Sequence, residues 1–215
     1  MKMQIKGILF DFDGTIANTI DLIIATFEHT CREVLGFTPE REKIVATFGL
    51  PLPEAMIALS GKPELVETMR DAYREYNNAH HDDMIRPIPG VKETLEQLKA
   101  QGIKLAVVTS KKPPMLRRGL DCLQLTQYFD ATIALGDTKE SKPHPEPMLA
   151  ACAKLGVKPE ECLCVGDSPF DLQSGRSAGA QTVGWEKLLE EGRPDFVIAR
   201  PQELLELVGK DSLVS

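Results

Sequence analysis

The chain has 215 residues, of which 42% are hydrophobic, enough for one large domain or for a domain with an insertion. Its formal net charge of −7 argues against a protein that binds nucleic acid or a membrane surface. The five cysteines are scattered and no apolar run approaches the length of a membrane span, so we expect a cytoplasmic protein without zinc.

The first predicted element is a strand, Ile5–Phe10, whose continuous apolar character is typical of a buried strand in a parallel sheet. It runs directly into Asp11, Asp13 and Gly14. In open α/β sheets, ligand sites lie just beyond the carboxyl ends of strands, and paired buried acids are costly unless a cation offsets them. Mg²⁺ takes carboxylate and phosphate oxygens as ligands. The strand end therefore predicts a site for Mg²⁺ and a phosphate, although these residues taken alone are also typical of an acidic turn.

The stretch that follows is predicted to be helical. The first and second strands are separated by about three times the ~30 residues that a parallel crossover needs. The four predicted helices are Thr19–Leu35, Pro39–Phe48, Leu52–Leu59 and Pro63–His80. Met84–Gly90, with its two prolines, is typical of a hinge back to the sheet. We therefore expect a helical cap of residues 18–83, inserted into a core domain of residues 1–17 and 84–215.

Polar residues also follow the second predicted strand, Ile103–Val108. Thr109 and Ser110 come directly after it, and a hydroxyl with free backbone N–H groups can hold phosphoryl oxygens. Further along, Lys142 precedes an amphipathic helix predicted over Glu146–Leu155. A lysine there can balance the negative charge of a nucleophile and a phosphate.

The third predicted strand, Cys162–Val165, leads to Asp167 and Asp171, which lie one helical turn apart near a helix start. The tail from Asp195 predicts a last short strand and a helix. Taken singly, the polar residues at these strand ends are also typical of helix caps and of a solvated lysine. Their recurrence in this order favours one shared site.

The segments DFDGT, VVTS, SKPHP and GDSPFD together resemble the four sequence motifs of the haloacid dehalogenase (HAD) superfamily. The resemblance covers nearly the whole chain, and the layout is similar to the HAD subclass with a helical cap inserted after the first motif. It implies an α/β fold with a Rossmann-like parallel sheet core and an inserted helical cap. It also implies a Mg²⁺ cofactor.

Carried over residue by residue, the resemblance implies three sets of site residues. The catalytic residues are Asp11, Asp13, Thr109 and Lys142. The substrate-binding residues are Phe12, Gly14, Thr109, Ser110 and Lys142, and the basic residues near the hinge add Arg86 to this set. The metal-binding residues are Asp11, Asp13 (through its backbone carbonyl), Asp167 and, in support, Asp171.

These residue types suit one mechanism, in which a carboxylate acts as a covalent nucleophile. Asp11 would attack phosphorus and form an aspartyl-phosphate. Asp13 would protonate the leaving oxygen and then deprotonate the water that cleaves the intermediate. Dehalogenases of the superfamily lack an aspartate at the place of Asp13, so this residue favours phosphoryl transfer.

The segment AYREYNNAHHDDMIRPIPGV, at the end of the predicted cap, resembles the inorganic pyrophosphatases linked to HPr phosphoserine metabolism. We therefore predict pyrophosphate as substrate, with phosphoglycolate as the alternative because phosphoglycolate phosphatases share the motifs and cap type. His80, His81 and Arg86 are candidates for a second anion site, although two histidines also suit a helix end. The turn Thr47–Pro51 is either a specificity loop or an ordinary helix–helix turn.

Two other classes of protein use similar residues. A phospho-accepting receiver-type domain needs no cap, and its acidic pair and its phosphorylated aspartate lie on different strands. A phosphosugar mutase usually carries adjacent acids in the fourth motif, where this chain has Gly166 and Asp167. We expect a monomer or weak homodimer that acts on a small anionic phosphate substrate.

Overall fold

The computed structural model describes residues 4–48, 50–185 and 193–209. The chain divides into two compact units, one formed by Met1–Asn18 and Pro87–Ser215 and the other by Thr19–Arg86. The first contains the large sheet and the second is built from helices. That the helical unit acts as a cap stays a prediction.

The first unit is organised around a six-stranded sheet in which every pair of neighbouring strands is parallel. The described residues form eight strands, of which six belong to this sheet. In chain order they are β1 (Gly7–Phe10), β2 (Ala17–Asn18), β3 (Arg86–Pro87), β4 (Lys104–Val108), β5 (Ala131–Ile133), β6 (Cys162–Gly166), β7 (Gln181–Trp185) and β8 (Phe196–Ile198). The sheet order is β5-β4-β1-β6-β7-β8, and the short β2 and β3 pair with each other. This confirms the predicted α/β fold with a parallel sheet.

The central strands are buried along their length, as expected for a parallel sheet covered by helices. The helices of the chain are α1 (Ile20–Leu35), α2 (Arg41–Val45), α3 (Leu52–Ser60), α4 (Val66–Met84), α5 (Val91–Ala100), α6 (Pro113–Cys122), α7 (Glu146–Leu155), α8 (Pro169–Ala178) and α9 (Glu203–Gly209). Helices α5–α9 belong to the sheet unit. One core cluster joins Leu9, Val108 and Cys164 of the sheet to Met148 and Ala151 of α7.

The helical unit has its own core, in which Phe27 and Cys31 of α1 pack with Ile44, Met56 and Met69. Its helices differ from the predicted ones at three places. One is the start of the last helix, because Pro63–Leu65 form a 3₁₀ turn and α4 begins at Val66. The predicted helix 39–48 is reduced to the five residues of α2, and turns follow it. Helix α4 continues to Met84 instead of ending near His80. It stops shortly before Arg86, because Arg86 precedes Pro87 and a residue before proline disfavours helical backbone angles.

Helices long and apolar enough to cross a membrane are absent from the described ranges of the chain.

Candidate active site

The strand register brings three polar strand ends to one edge of the sheet. Phe10 pairs with Val107 on one side and with Val165 on the other, so β1, β4 and β6 end within one residue of each other. The backbone N–H of Asp11 donates to the Val165 carbonyl at 2.9 Å, which continues the ladder by one residue. Residues that follow these strands therefore meet, although they lie far apart in the sequence.

Three carboxylates form a cluster at this edge. Asp11, Asp167 and Asp171 each offer an oxygen, and these oxygens lie within 4.8 Å of one another. The Lys142 ammonium donates to Asp11 Oδ1 at 2.8 Å, to Asp171 Oδ1 at 2.6 Å and to the Val108 carbonyl at 3.1 Å. Because the Lys142 side chain is only 7% exposed, these ion pairs are shielded from solvent.

Asp171 both caps a helix and contacts the lysine. Its Oδ2 accepts hydrogen bonds from the Ser168 N–H at 3.1 Å and from the Ser168 hydroxyl at 2.7 Å, completing a capping box at the start of α8. A Cβ on Gly166 would lie 2.2 Å from the Asp171 Cβ, so only glycine allows this approach. Both carboxylate oxygens of Asp171 thus have partners, which suits a supporting role.

The electrostatics of the cluster favour binding of a cation. Burial raises the pKa of Asp11 to about 8; the neighbouring Asp171 and Asp167 carboxylates also raise it, while Lys142 lowers it. Burial lowers the pKa of Lys142, but its contacts with Asp11 and Asp171 raise that pKa above the ordinary value, so its ammonium stays charged. Even with the proton still on Asp11, two ionised acids face one ammonium, and loss of that proton adds a further negative charge. An all-oxygen donor set is what Mg²⁺ prefers. The residues present therefore fit a magnesium ion.

The raised pKa of Asp11 predicts how stability depends on pH in EDTA. The ordinary value is 3.8, so between about pH 4 and pH 8 the folded protein holds a proton that the unfolded chain has lost. The free energy of unfolding should therefore fall as pH rises through this range. Asp11→Asn removes this contribution, so thermal unfolding at pH 5 and pH 8 should show wild type losing more stability than the variant. If the stability of the two proteins changed equally with pH, the raised pKa of Asp11 would be contradicted.

Asp13 has a partner of its own. The Lys111 ammonium lies 3.0 Å from each of its carboxylate oxygens and 5.6 Å from the centre of the Phe12 ring. Within the described part of the chain, the Asp13 carboxylate is not a member of the acidic cluster. The metal contact assigned to Asp13 was its backbone carbonyl, and that stays a prediction. Lys111 was not among the site residues predicted from the sequence, although its position two residues after Thr109 was an available signal.

Backbone N–H groups that were predicted to bind phosphate lie at the same edge of the sheet. Among the described residues, the N–H groups of Phe12, Asp13 and Ser110 have no hydrogen-bond acceptor, which leaves them available to an anion. The Phe12 ring is fully buried, and a Cβ on Gly119 would come within 2.6 Å of it. Phe12 can therefore offer only its backbone to a substrate.

Two further predicted positions have clear local explanations. Gly14 has φ +75°, and a Cβ there would lie 2.2 Å from Asp167 Oδ2, so the turn needs glycine to pass beside this acid. Thr109 is buried and its hydroxyl oxygen accepts from the Lys111 N–H at 3.2 Å. Its hydroxyl proton stays available to a phosphoryl oxygen. Their roles in substrate binding stay predictions.

The remaining candidates lie in the helical unit. Arg86 is exposed and its Nη1 donates to the Ile85 carbonyl at 2.6 Å; a role in substrate binding stays a prediction. His80 stacks on Tyr76, with ring centres 4.0 Å apart. His81 is 0% exposed, with Nδ1 2.7 Å from an oxygen of Asp82. An anion-binding role therefore finds no support at His81.

The proposed specificity turn is described only in part, because Gly49 lies outside the described residues. Thr47 is buried and donates its hydroxyl to the Ile44 carbonyl at 2.7 Å. This contact fits the end of a helix, so it is consistent with the interpretation as a helix–helix turn.

A family model for haloacid dehalogenase-like hydrolases matches residues 8–185. The chain belongs to this family. This haloacid dehalogenase-like hydrolase is 39% identical to a pyrophosphatase PpaX of Halalkalibacterium halodurans, a match that covers 96% of this chain and 98% of the relative. It is also 39% identical to a pyrophosphatase PpaX of Anoxybacillus flavithermus, over 98% of this chain and all of the relative.

A solved structure similar to this haloacid dehalogenase-like hydrolase is that of a predicted phosphoglycolate phosphatase from Haemophilus somnus. The TM-score is 0.87 at 26% identity, covering 95% of this chain and 98% of the other. The comparisons confirm the predicted superfamily and the prediction of a HAD-type phosphohydrolase. The catalytic and metal-binding roles of the individual residues stay predictions.

Proposed function

We propose that this hydrolase is a Mg²⁺-dependent phosphatase that cleaves pyrophosphate through an aspartyl-phosphate on Asp11. The observation that carries the proposal is the buried Asp11 carboxylate, held by Lys142 at the end of β1 beside two further acids. The choice of pyrophosphate is supported by the full-length relatives named pyrophosphatase PpaX.

In the first step, an Asp11 oxygen forms a bond to phosphorus while the bond to the leaving orthophosphate breaks. Lys142 keeps the Asp11 carboxylate in one orientation through its 2.8 Å contact to Oδ1. Asp13 transfers a proton to the leaving oxygen. The Thr109 hydroxyl, the Lys142 ammonium and the free N–H groups around Asp13 hold the non-bridging oxygens.

In the second step, a water oxygen forms a bond to phosphorus, the bond to Asp11 breaks, and the water proton moves to Asp13. Asp11, Asp167 and the Asp13 carbonyl would hold Mg²⁺, with Asp171 in support. When bound, the ion supplies charge neutralisation between the anionic nucleophile and the anionic phosphate.

A hydrolysis panel tests the proposal directly. It contains pyrophosphate, phosphoglycolate, a hexose phosphate and a nucleotide, each measured with Mg²⁺, with EDTA and with Ca²⁺. We expect the highest kcat/KM on pyrophosphate, loss of activity in EDTA, recovery with Mg²⁺, and inhibition by Ca²⁺, whose looser and higher coordination misplaces the reacting groups.

Each other outcome of the panel contradicts a different part of the proposal. Full activity in excess chelator, with no metal found in the protein, would overturn the metal-dependent mechanism. Isomerisation of the hexose phosphate without release of phosphate would indicate a mutase. A clear preference for phosphoglycolate would establish the second candidate, which the structural similarity to a predicted phosphoglycolate phosphatase favours.

A further inference from the structure

Two lysines contact different acids of the site. Lys142 contacts Asp11 and Asp171, which belong to the acidic cluster. Lys111 contacts both oxygens of Asp13 at 3.0 Å. Asp11 and Asp13 are two residues apart on one strand exit, yet each is bound by a lysine from a different segment of the chain.

Lys111 is itself held firmly at both backbone groups. Its N–H donates to the Thr109 hydroxyl oxygen at 3.2 Å, and its carbonyl accepts from the Leu135 N–H at 2.9 Å. The side chain is 18% exposed, and its ammonium lies 5.6 Å from the centre of the buried Phe12 ring. Because the backbone is anchored and the aliphatic part of the side chain is partly buried, the ammonium has few accessible positions.

The site needs such a restraint on Asp13. A carboxylate free to rotate at this place would be drawn toward a divalent cation bound by the acidic cluster, because Mg²⁺ takes carboxylate oxygens as ligands. It would then be unavailable for proton transfer. A bidentate contact to a fixed cation holds the carboxylate in one orientation.

We infer that Lys111 is the positioning residue of Asp13, and that it keeps this carboxylate directed toward the leaving oxygen and the attacking water. The inference rests on the proposed function, because it concerns the proton transfers of that reaction. Lys111 itself forms and breaks no covalent bond and transfers no proton. Its effect is on the proton that Asp13 gives in the first step and receives in the second.

The test uses p-nitrophenyl phosphate, because its leaving group needs no proton. The first step on this substrate should not depend on the placement of Asp13, whereas the hydrolysis of the aspartyl-phosphate still should. Lys111→Met is therefore expected to keep the rate of the first turnover within about threefold of wild type. Steady-state kcat should fall by at least about tenfold. This loss should be smaller than the ~10²–10⁴-fold loss typical of removing the acid/base residue itself. A burst of about one p-nitrophenolate per protein should appear.

Three variants make the measurement specific. Lys111→Arg keeps a cation that can bind the carboxylate and should recover most of kcat. Lys112→Met removes the adjacent, exposed lysine and should behave as wild type. If Lys111→Met does not fold, Lys111→Gln takes its place with the same expected burst.

Several results would overturn the inference. An increase in KM with unchanged kcat would make Lys111 a substrate anchor. Equal losses in the first turnover and in the steady state, or no change at all, would exclude a role through Asp13. The proposed function fails separately, since it requires wild type to hydrolyse phosphate esters or pyrophosphate with Mg²⁺; an active wild type with unchanged Lys111 variants would contradict only the role of Lys111.

Discussion

Asp11→Asn is expected to lower kcat for pyrophosphate hydrolysis by at least about a thousandfold, equivalent to about 4 kcal/mol of transition-state stabilisation. An amide is a far weaker nucleophile than a carboxylate and does not form the acyl-phosphate. The variant should nevertheless fold, because asparagine has the same shape and Lys142 keeps its contact to Asp171 at 2.6 Å. Binding of Mg²⁺ should weaken, since one carboxylate of the cluster is lost.

The measurement combines steady-state hydrolysis with acid quenching during a single turnover of labelled pyrophosphate, before the aspartyl-phosphate is hydrolysed. Wild type should retain label that hydroxylamine releases, and Asp11→Asn should retain none. Asp21→Asn is a matched control, because Asp21 is an exposed residue paired with Arg41 and such pairs contribute little. Retention of more than about a tenth of kcat in Asp11→Asn, a loss of only ~1.4 kcal/mol, would exclude Asp11 as the nucleophile.

Lys142→Met is expected to damage both folding and activity. The ammonium is the partner of two buried carboxylates, and methionine replaces it with an apolar group of similar length. Breaking a buried ion pair from one side typically costs about 3–5 kcal/mol, because the remaining charge is left uncompensated. Hydrolysis should fall by at least about a hundredfold, since the contact that orients Asp11 and balances charge at the phosphate is lost.

The two effects can be separated with a second substitution. Adding Asp171→Asn to Lys142→Met removes one uncompensated charge and should recover part of the free energy of unfolding, measured with urea, but none of the activity. Lys154→Met is the control, because this lysine is exposed and donates to a backbone carbonyl, that of Thr132, outside the acidic cluster. If Lys142→Met unfolds at the same urea concentration as wild type and hydrolyses pyrophosphate normally, the lysine has neither role.

Local spacing was enough to predict most of the sheet unit. The apolar runs that become β1, β4 and β6 are each followed at once by polar residues, and parallel strands end at one edge. The helix Glu146–Leu155 was also predicted with its observed bounds, because a proline start and an apolar stripe are short-range signals. Such features depend on neighbours within one helical turn or one strand.

Long-range partners could not be predicted in this way. The contact between Lys111 and Asp13 joins residues 98 positions apart, and the contact between Lys142 and Asp11 joins residues 131 apart. Which lysine meets which acid depends on strand order and register, and these are set by packing of the whole sheet. For the same reason, only the structure decided that the Phe12 ring points into the core. The sequence by itself thus determined the chemistry carried to the edge of the sheet, and the tertiary structure decided which charges pair there, because ion pairs form by distance in space and not along the chain.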